Sequence, residues 1–224
     1  MTWAEKDRFH NFILKNNVIG VFKEPIKLKS GRFSYWYVNW RNISEDVFLL
    51  DRLTDYLISF VNYLNLTPDC FYGVPEGATK LGIITQYKWA KKQAEYGSEA
   101  YSLSMGRGKP KDHGEPKDRF FLGLPRGNVI ILEDVTTTGG SLLTTIKKLK
   151  ELNVNIIATI GLTDRNELQG DGRNVTEIIL EEGVHYYAMS NAIDLLPNIK
   201  IEKSIAKKIE AEFKKFGIRE IKMS

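Results

Sequence analysis

Two adjacent carboxylates, Glu133 and Asp134, follow the apolar run Val129-Ile-Ile-Leu132 and precede Val135-Thr136-Thr137-Thr138-Gly139-Gly140-Ser141. A buried strand, an acidic pair, a hydroxyl- and glycine-rich turn and a helix start, in that order, suit a phosphorylated sugar. Turn amides and the positive end of the next helix hold a phosphate. Glycines let the backbone approach it closely, and the carboxylates match vicinal hydroxyls or the hard cation that accompanies them. A capped surface turn accounts for Ser141 but leaves an acidic pair behind a buried strand unexplained. The lysine-bearing phosphate loop G-x-x-x-x-G-K-[ST] does not occur, nor does a strand-following G-x-G-x-x-G.

Other segments carry groups of matching chemistry. Met105 to Lys117 is rich in Gly, Pro and charge, with Arg107, Lys109, Lys111 and His113 within seven residues. Such a mobile cationic arm can close over a polyanion and exclude water; the alternative is a solvated loop. Tyr72-Gly-Val-Pro-Glu-Gly77-Ala-Thr79-Lys80 stands between a strand and a helix, the setting of an anion-binding turn or of a plain helix start. Arg165 ends another apolar run, in Thr163-Asp-Arg-Asn-Glu167. Its planar fork fits a carboxylate through two parallel hydrogen bonds; a strand-end salt bridge is the bland alternative. His10 and His185 read as a surface and a structural residue, and no His/Cys cluster has zinc spacing.

The elements that must position these groups follow from hydrophobic periodicity. The first helix is expected over residues 2–16 with Thr2 as N-cap, then short strands 18–22 and 26–28, a Lys29-Ser-Gly-Arg32 turn, and an aromatic strand through Tyr35, Tyr37 and Val38. Ser44 is expected to cap a helix to about Leu64, ended by Pro68. Strands at 70–74, 100–105, 129–132, 156–162 and 185–189 then alternate with helices at 78–94, 142–152 and 175–182. Alternation of this kind makes βαβ units and a mainly parallel, doubly wound α/β sheet covered on both faces. Ligands of such sheets sit beyond the carboxyl ends of the strands, so the segments after Val74, Met105, Leu132 and Leu162 should converge. Residues 201–216 form an outer helix through Ile205, Ile209 and Phe213.

Glu133-Asp134 with Thr136–Ser141 resembles the phosphoribosyl pyrophosphate (PRPP) motif of type I phosphoribosyltransferases. Arg107, Lys111 and Asp112-His113-Gly114-Glu115 are similar to the catalytic loop of the orotate phosphoribosyltransferases, and Leu28-Lys29-Ser-Gly-Arg32 before an aromatic run resembles their LKSGR segment. The resemblance spans roughly residues 20–190. It implies one domain over 1–224, with about 68–190 as core sheet and about 1–42 plus the C-terminal segment as hood and outer elements. It implies that Lys29, Gly77, Lys109, Glu133, Asp134, Thr136, Thr137, Thr138, Gly139, Gly140 and Ser141 bind PRPP. Lys111, His113, Arg107 and Asp134 would be catalytic, and Arg165, Thr137 and Tyr37 would meet orotate. The products would be orotidine 5'-monophosphate and pyrophosphate, with Mg²⁺ carried by PRPP rather than by protein ligands. A homodimer sharing loop 106–118 across its interface is also implied. The sequence departs from the pattern at Gly77 and Gly108, where many members have lysine, and at Tyr35, where proline is usual.

Bulk properties agree. The 224 residues are 42% hydrophobic, enough for a sizeable core. A net charge of +4 suits anionic ligands and is too small to point to nucleic acid. Cys70, the single cysteine, excludes an internal disulfide and reads as a buried thiol. No apolar run is long enough to span a bilayer, so a cytoplasmic protein is expected and the sequons at Asn42, Asn65 and Asn174 read as accidental. Two competitors are a phosphoribosyltransferase for another base, such as a purine, and a PRPP-sensing regulator without catalysis. Arg165 and the Lys111–Glu115 run oppose the first. The short stretch before the first strand, too small for a helix-turn-helix, opposes the second.

Overall fold

The computed structural model describes residues 2–28, 30–109, 111–113, 115 and 119–224. Helix α1 (Lys6–Lys15) buries Phe9 and Ile13, one turn apart. It starts after Thr2 because the Trp3 ring is sunk against Phe9 and Phe60, with its indole N–H donating to Ser59 at 3.2 Å. That anchor fixes residues 2–5 outside the helix. An antiparallel hairpin follows, β1 (Ile19–Lys27) and β2 (Phe33–Val38), whose register slips between Val21 and Ile26. Pro25, which has no N–H, lies in that irregularity, where no ladder donor is needed. On β2 the residues Ser34, Trp36 and Val38 are buried and alternate with more exposed neighbours.

The helix expected from Ser44 is two helices, α2 (Arg41–Glu45) and α3 (Val47–Tyr63). Asp46 between them is extended, and its carboxylate accepts from the Leu49 amide at 2.8 Å. The Ser44 hydroxyl instead donates to the Arg41 carbonyl at 3.0 Å. An ionised side chain satisfies the first-turn donors better than a hydroxyl, so the cap forms at Asp46.

The remaining chain runs through β3 (Cys70–Gly73), α4 (Thr79–Ala90), β4 (Met105–Gly106), β5 (Phe121–Leu122), β6 (Asn128–Thr136), α5 (Gly140–Glu151), β7 (Asn155–Asp164), α6 (Val175–Glu181), β8 (Tyr186–Asn191), α7 (Ala192–Leu195) and α8 (Lys203–Phe216). Strands β3, β6, β7 and β8 form one parallel sheet in that order. Val129 and Ile131 pack with Leu142, Ile146 and Leu149 of α5 and Ile179 of α6. Ile130 and Leu132, on the other face, belong to the core cluster that also holds residues of α1, α3 and α8. Each such Ile or Leu taken from water contributes roughly 1.5–3 kcal/mol. Asn174 caps α6 in a reciprocal box with Glu177.

The strand expected at 100–105 shrinks to Met105–Gly106, which pairs antiparallel with β5 and not with the parallel sheet. The reason is Gln86. Its side-chain amide accepts from the Phe71 N–H at 3.0 Å and donates to the carbonyls of Ser102 and Asp69 at 2.9 and 3.0 Å. A buried side chain thus takes the groups that a ladder between β3 and residues 100–104 would use. These residues still run beside β3, so the chain proceeds from β3 in two directions, toward 100–106 on one side and toward β6 on the other. That reversal is the switch point at which open α/β sheets form their ligand crevice. Among the described residues no helix is long and apolar enough to cross a membrane.

Candidate active site

The acidic pair lies at the carboxyl end of β6, beside that switch point. Strand geometry turns the two carboxylates apart. Glu133 is 7% exposed, whereas Asp134 is half-buried at the mouth. Thr136 is buried, and its hydroxyl shares a short hydrogen bond with the Tyr186 hydroxyl. Its carbonyl accepts from the Arg165 amide at 2.8 Å, which ties the turn to the end of β7. Gly139 takes a left-handed φ of 75° and opens α5. Thr137, Thr138 and Ser141 are half-buried, and a methyl group on Gly140 would meet nothing within 4 Å. The first-turn amides of a helix have no intrahelical acceptor, so this turn presents donors and a positive dipole end to an open face.

The turn after β3 lies against the acidic pair. A methyl group on Gly77 would sit 2.2 Å from the Asp134 carboxylate. The stem of the cationic loop joins them, since a Cβ on Gly106 would stand 2.0 Å from the Tyr72 hydroxyl, and one on Gly108 2.4 Å from the Glu76 carboxylate. Arg107 is held by its amide, which donates to the Phe120 carbonyl at 2.8 Å. Lys109, Lys111 and His113 are exposed, and the Lys111 amide donates to the Arg119 carbonyl at 3.0 Å. Lys80 donates to the Ser44 carbonyl at 3.1 Å and so is engaged by α2 rather than by the turn. Lys29, Gly114 and Lys117 lie outside the described residues.

Arg165 is only 2% exposed. Its Nε donates to one Glu167 oxygen at 2.8 Å, Nη2 forms an ion pair with the same oxygen at 2.8 Å and donates to the Ser34 hydroxyl at 3.1 Å, and Nη1 makes a long 3.4 Å contact with the Trp36 carbonyl. The guanidinium lies 3.7 Å over the Trp36 ring. The other Glu167 oxygen takes Arg32 at 3.0 Å, and Arg32 covers the Phe216 ring. Burial lowers the Arg165 pKa, and Glu167 beside it opposes that shift. Tyr37 is near enough to act on Arg165 electrostatically. The structure thus joins Arg165 to the hairpin that carries Tyr37, Asp134 to Gly77, and the loop stem to the 72–77 turn.

Several participants have no motif. Glu167 stands two residues after Arg165, and Tyr186 is buried in β8. Glu212 left a trace: Ile205, Ile209, Glu212 and Phe216 fall at the i, i+4, i+7 and i+11 positions of one helix face, so an acid stands in the apolar stripe. His10 is half-buried rather than on the surface, with Nε2 buried and without a hydrogen-bond partner, and burial lowers its pKa. Cys70 is buried, which raises its pKa. Among the described residues no group of three or more His, Cys, Asp or Glu could enclose a metal ion.

No family model matches the chain. It is similar to the orotate phosphoribosyltransferase of Aquifex aeolicus, 30% identical over 200 residues that cover 88% of this chain and all of that one. In fold it is similar to the orotate phosphoribosyltransferase of Francisella tularensis, with a TM-score of 0.67 at 22% identity over 94% of this chain and 99% of that one. It is likewise similar to Leishmania donovani UMP synthase, with a TM-score of 0.70 at 16% identity over 95% of this chain and 42% of that one. With the acidic pair, the glycine turn and the hairpin-bound arginine in place, the full-length likeness to the Aquifex enzyme shows that the chain belongs to the orotate phosphoribosyltransferase family.

Proposed function

We propose that this chain transfers the 5-phosphoribosyl group of PRPP to a ring nitrogen of orotate, releasing pyrophosphate and forming orotidine 5'-monophosphate. The observation that carries the reading is the pairing of Gly77 with Asp134 at the switch point, beside the open turn at the start of α5. It brings the turn after β3 up to the Asp134 carboxylate near the end of β6, so that one crevice offers a ribose-hydroxyl acceptor next to backbone donors. Asp134, with Glu133 behind it, holds the ribose hydroxyls; Thr136 to Ser141, with Thr137 at the centre, receive the 5-phosphate. Gly77 and Lys29 complete the PRPP cradle.

Departure of pyrophosphate builds positive charge on the ribose ring and negative charge on the leaving group. Arg107, Lys109, Lys111 and His113 neutralise the second charge, and closure of their loop excludes water. No covalent nucleophile is required. The donor set fits a Mg²⁺ that arrives on PRPP, because a single carboxylate at an open mouth, Asp134, without an enclosing cage, suits an ion that keeps water and substrate oxygens. Bound there, Mg²⁺ would offset leaving-group charge and orient the pyrophosphate. Arg165 with Tyr37 selects the orotate carboxylate. The working unit is a homodimer in which loop 106–118 serves the neighbouring site, and the compartment is the cytoplasm.

Steady-state assays with PRPP, Mg²⁺ and orotate, adenine or hypoxanthine test the proposal. Orotate-dependent pyrophosphate release is expected. Turnover on a purine alone would reassign the base, and tight PRPP binding with no turnover on any base would make the chain a regulator.

A further inference from the structure

The C-terminal helix reaches the base-selecting arginine through one side chain. One oxygen of Glu212 accepts from the Ser34 hydroxyl at 2.8 Å, and the other accepts from the Tyr35 amide at 2.6 Å. Ser34, 1% exposed, accepts in turn from Arg165 Nη2 at 3.1 Å. The same helix sets the stacking surface under the arginine: Phe213 stacks on Trp36 at 5.9 Å between ring centroids, and Trp36 carries the guanidinium. Beyond α8, the Ile218 amide donates to the Asn166 carbonyl, and the Leu168 amide donates to the Phe216 carbonyl at 2.7 Å. Three elements distant in sequence, β2, the end of β7 and α8, therefore meet around Arg165.

We propose that Glu212 is a positioning residue for the proposed base-binding site: through Ser34 it fixes the plane of the Arg165 guanidinium, so that α8 is part of the specificity apparatus. This rests on the reading of Arg165 as the orotate-carboxylate residue. The donors of a guanidinium lie in a rigid fork, so fixing two edges aims the third. Nε and Nη2 are spent on Glu167 and Ser34. Nη1 keeps only the long contact with the Trp36 carbonyl and is the edge that an incoming carboxylate takes over. A serine can accept from Arg165 only if its own proton has somewhere to go. Of the two acceptors it reaches, the Trp36 carbonyl at 2.9 Å and the Glu212 carboxyl at 2.8 Å, Glu212 is the one that α8 supplies.

Glu212→Gln is the decisive change because it keeps size and packing. Its amide presents one N–H₂ and one oxygen to two donors, the Ser34 hydroxyl and the Tyr35 N–H, so one of them faces a donor. The expected result is a KM for orotate raised about tenfold, the worth of one charge-assisted hydrogen bond, with the KM for PRPP and the melting temperature held. Ser34→Ala should give the same split. Lys207→Ala, an exposed position on the same helix and outside this network, should leave both KM values alone. In an Arg165→Gln background, which itself should raise the KM for orotate, adding Glu212→Gln should cause no further loss.

An unchanged orotate KM in Glu212→Gln, with Arg165→Gln impaired, would overturn the positioning role and leave the base reading intact. Equal rises in both KM values with a lowered melting temperature would reduce Glu212 to a packing role and overturn it too. If Arg165→Gln itself kept the orotate KM, the base reading would fail and this inference with it.

Discussion

Gly77 and Asp134 touch: the Cα of one lies where any side chain would run into the carboxylate of the other, at 2.2 Å from a Cβ. The turn after β3 is thus built around the acid two residues before the end of β6, and a lysine at position 77 would displace it. Gly77→Ala is expected to push Asp134 out of line. A misplacement of the order of 1 Å costs about 100-fold in rate, so kcat/KM for PRPP should fall by about that factor while the fold holds. Steady-state rates with PRPP varied measure it, and near-normal values would mean that Asp134 need not be held where it is.

Lys111 is exposed and belongs to the loop whose stem rests on the same turn. Lys111→Ala should lower kcat by about 100-fold or more with an unchanged melting temperature. Unimpaired turnover would remove the loop from the mechanism. Mixing Lys111→Ala with Asp134→Asn tests loop sharing, because a mixed dimer then holds one site with both lesions and one with neither. Recovery well above either parent is expected; none, with subunit exchange verified by mass spectrometry, would place each loop over its own site.

The sheet and the strand–turn–helix layout around Glu133 to Ser141 were legible because their signals are local: apolar runs of strand length, carboxylates at a strand end, glycines before a helix. Boundaries failed where one side chain decided the matter across space. Asp46 outcompetes Ser44 as a cap, and Gln86 bonds both edges of what would have been a ladder. Arg165 stood out in the sequence as the arginine at a strand end, but its setting did not. The partners Ser34, Glu167 and Glu212 come from three elements, and only the fold brings them together. Glu212 alone left a sign, as an acid in the apolar stripe of α8.

The two glycines that open α5 separate stability from ligand approach. Gly139 is left-handed, and a Cβ there would sit 2.9 Å from Val175, so Gly139→Ala should cost about 1–2 kcal/mol. A chain of this size then loses roughly 2–4 °C in melting temperature per kcal/mol. Gly140 has open space and no strained φ, so Gly140→Ala should melt at or slightly above the parent temperature. Its added methyl stands where the backbone must come close to phosphate, and the KM for PRPP should rise. An unchanged KM in Gly140→Ala would place the 5-phosphate elsewhere.

Asp164 ends β7, 7% exposed, with Asn166 donating to it at 2.7 Å. Burial pushes its pKa up to about 6 from 3.8, the Asn166 amide pulls it back, and Glu167 adds to the rise. The folded chain therefore holds a proton that the unfolded chain has released between about pH 4 and pH 6. Stability from this group is fully present below the lower value, falls as pH rises through the window, and stays lost above it. The span of about two pKa units corresponds to something on the order of 3 kcal/mol. Asp164→Asn keeps the acceptor for Asn166 and abolishes the titration. Its melting temperature relative to the parent should climb by several degrees between pH 4.5 and pH 7.5, measured without ligands by calorimetry. A difference that stays constant across that range would mean that Asp164 is ionised in the folded chain throughout, with its charge met by a partner beyond the Asn166 amide.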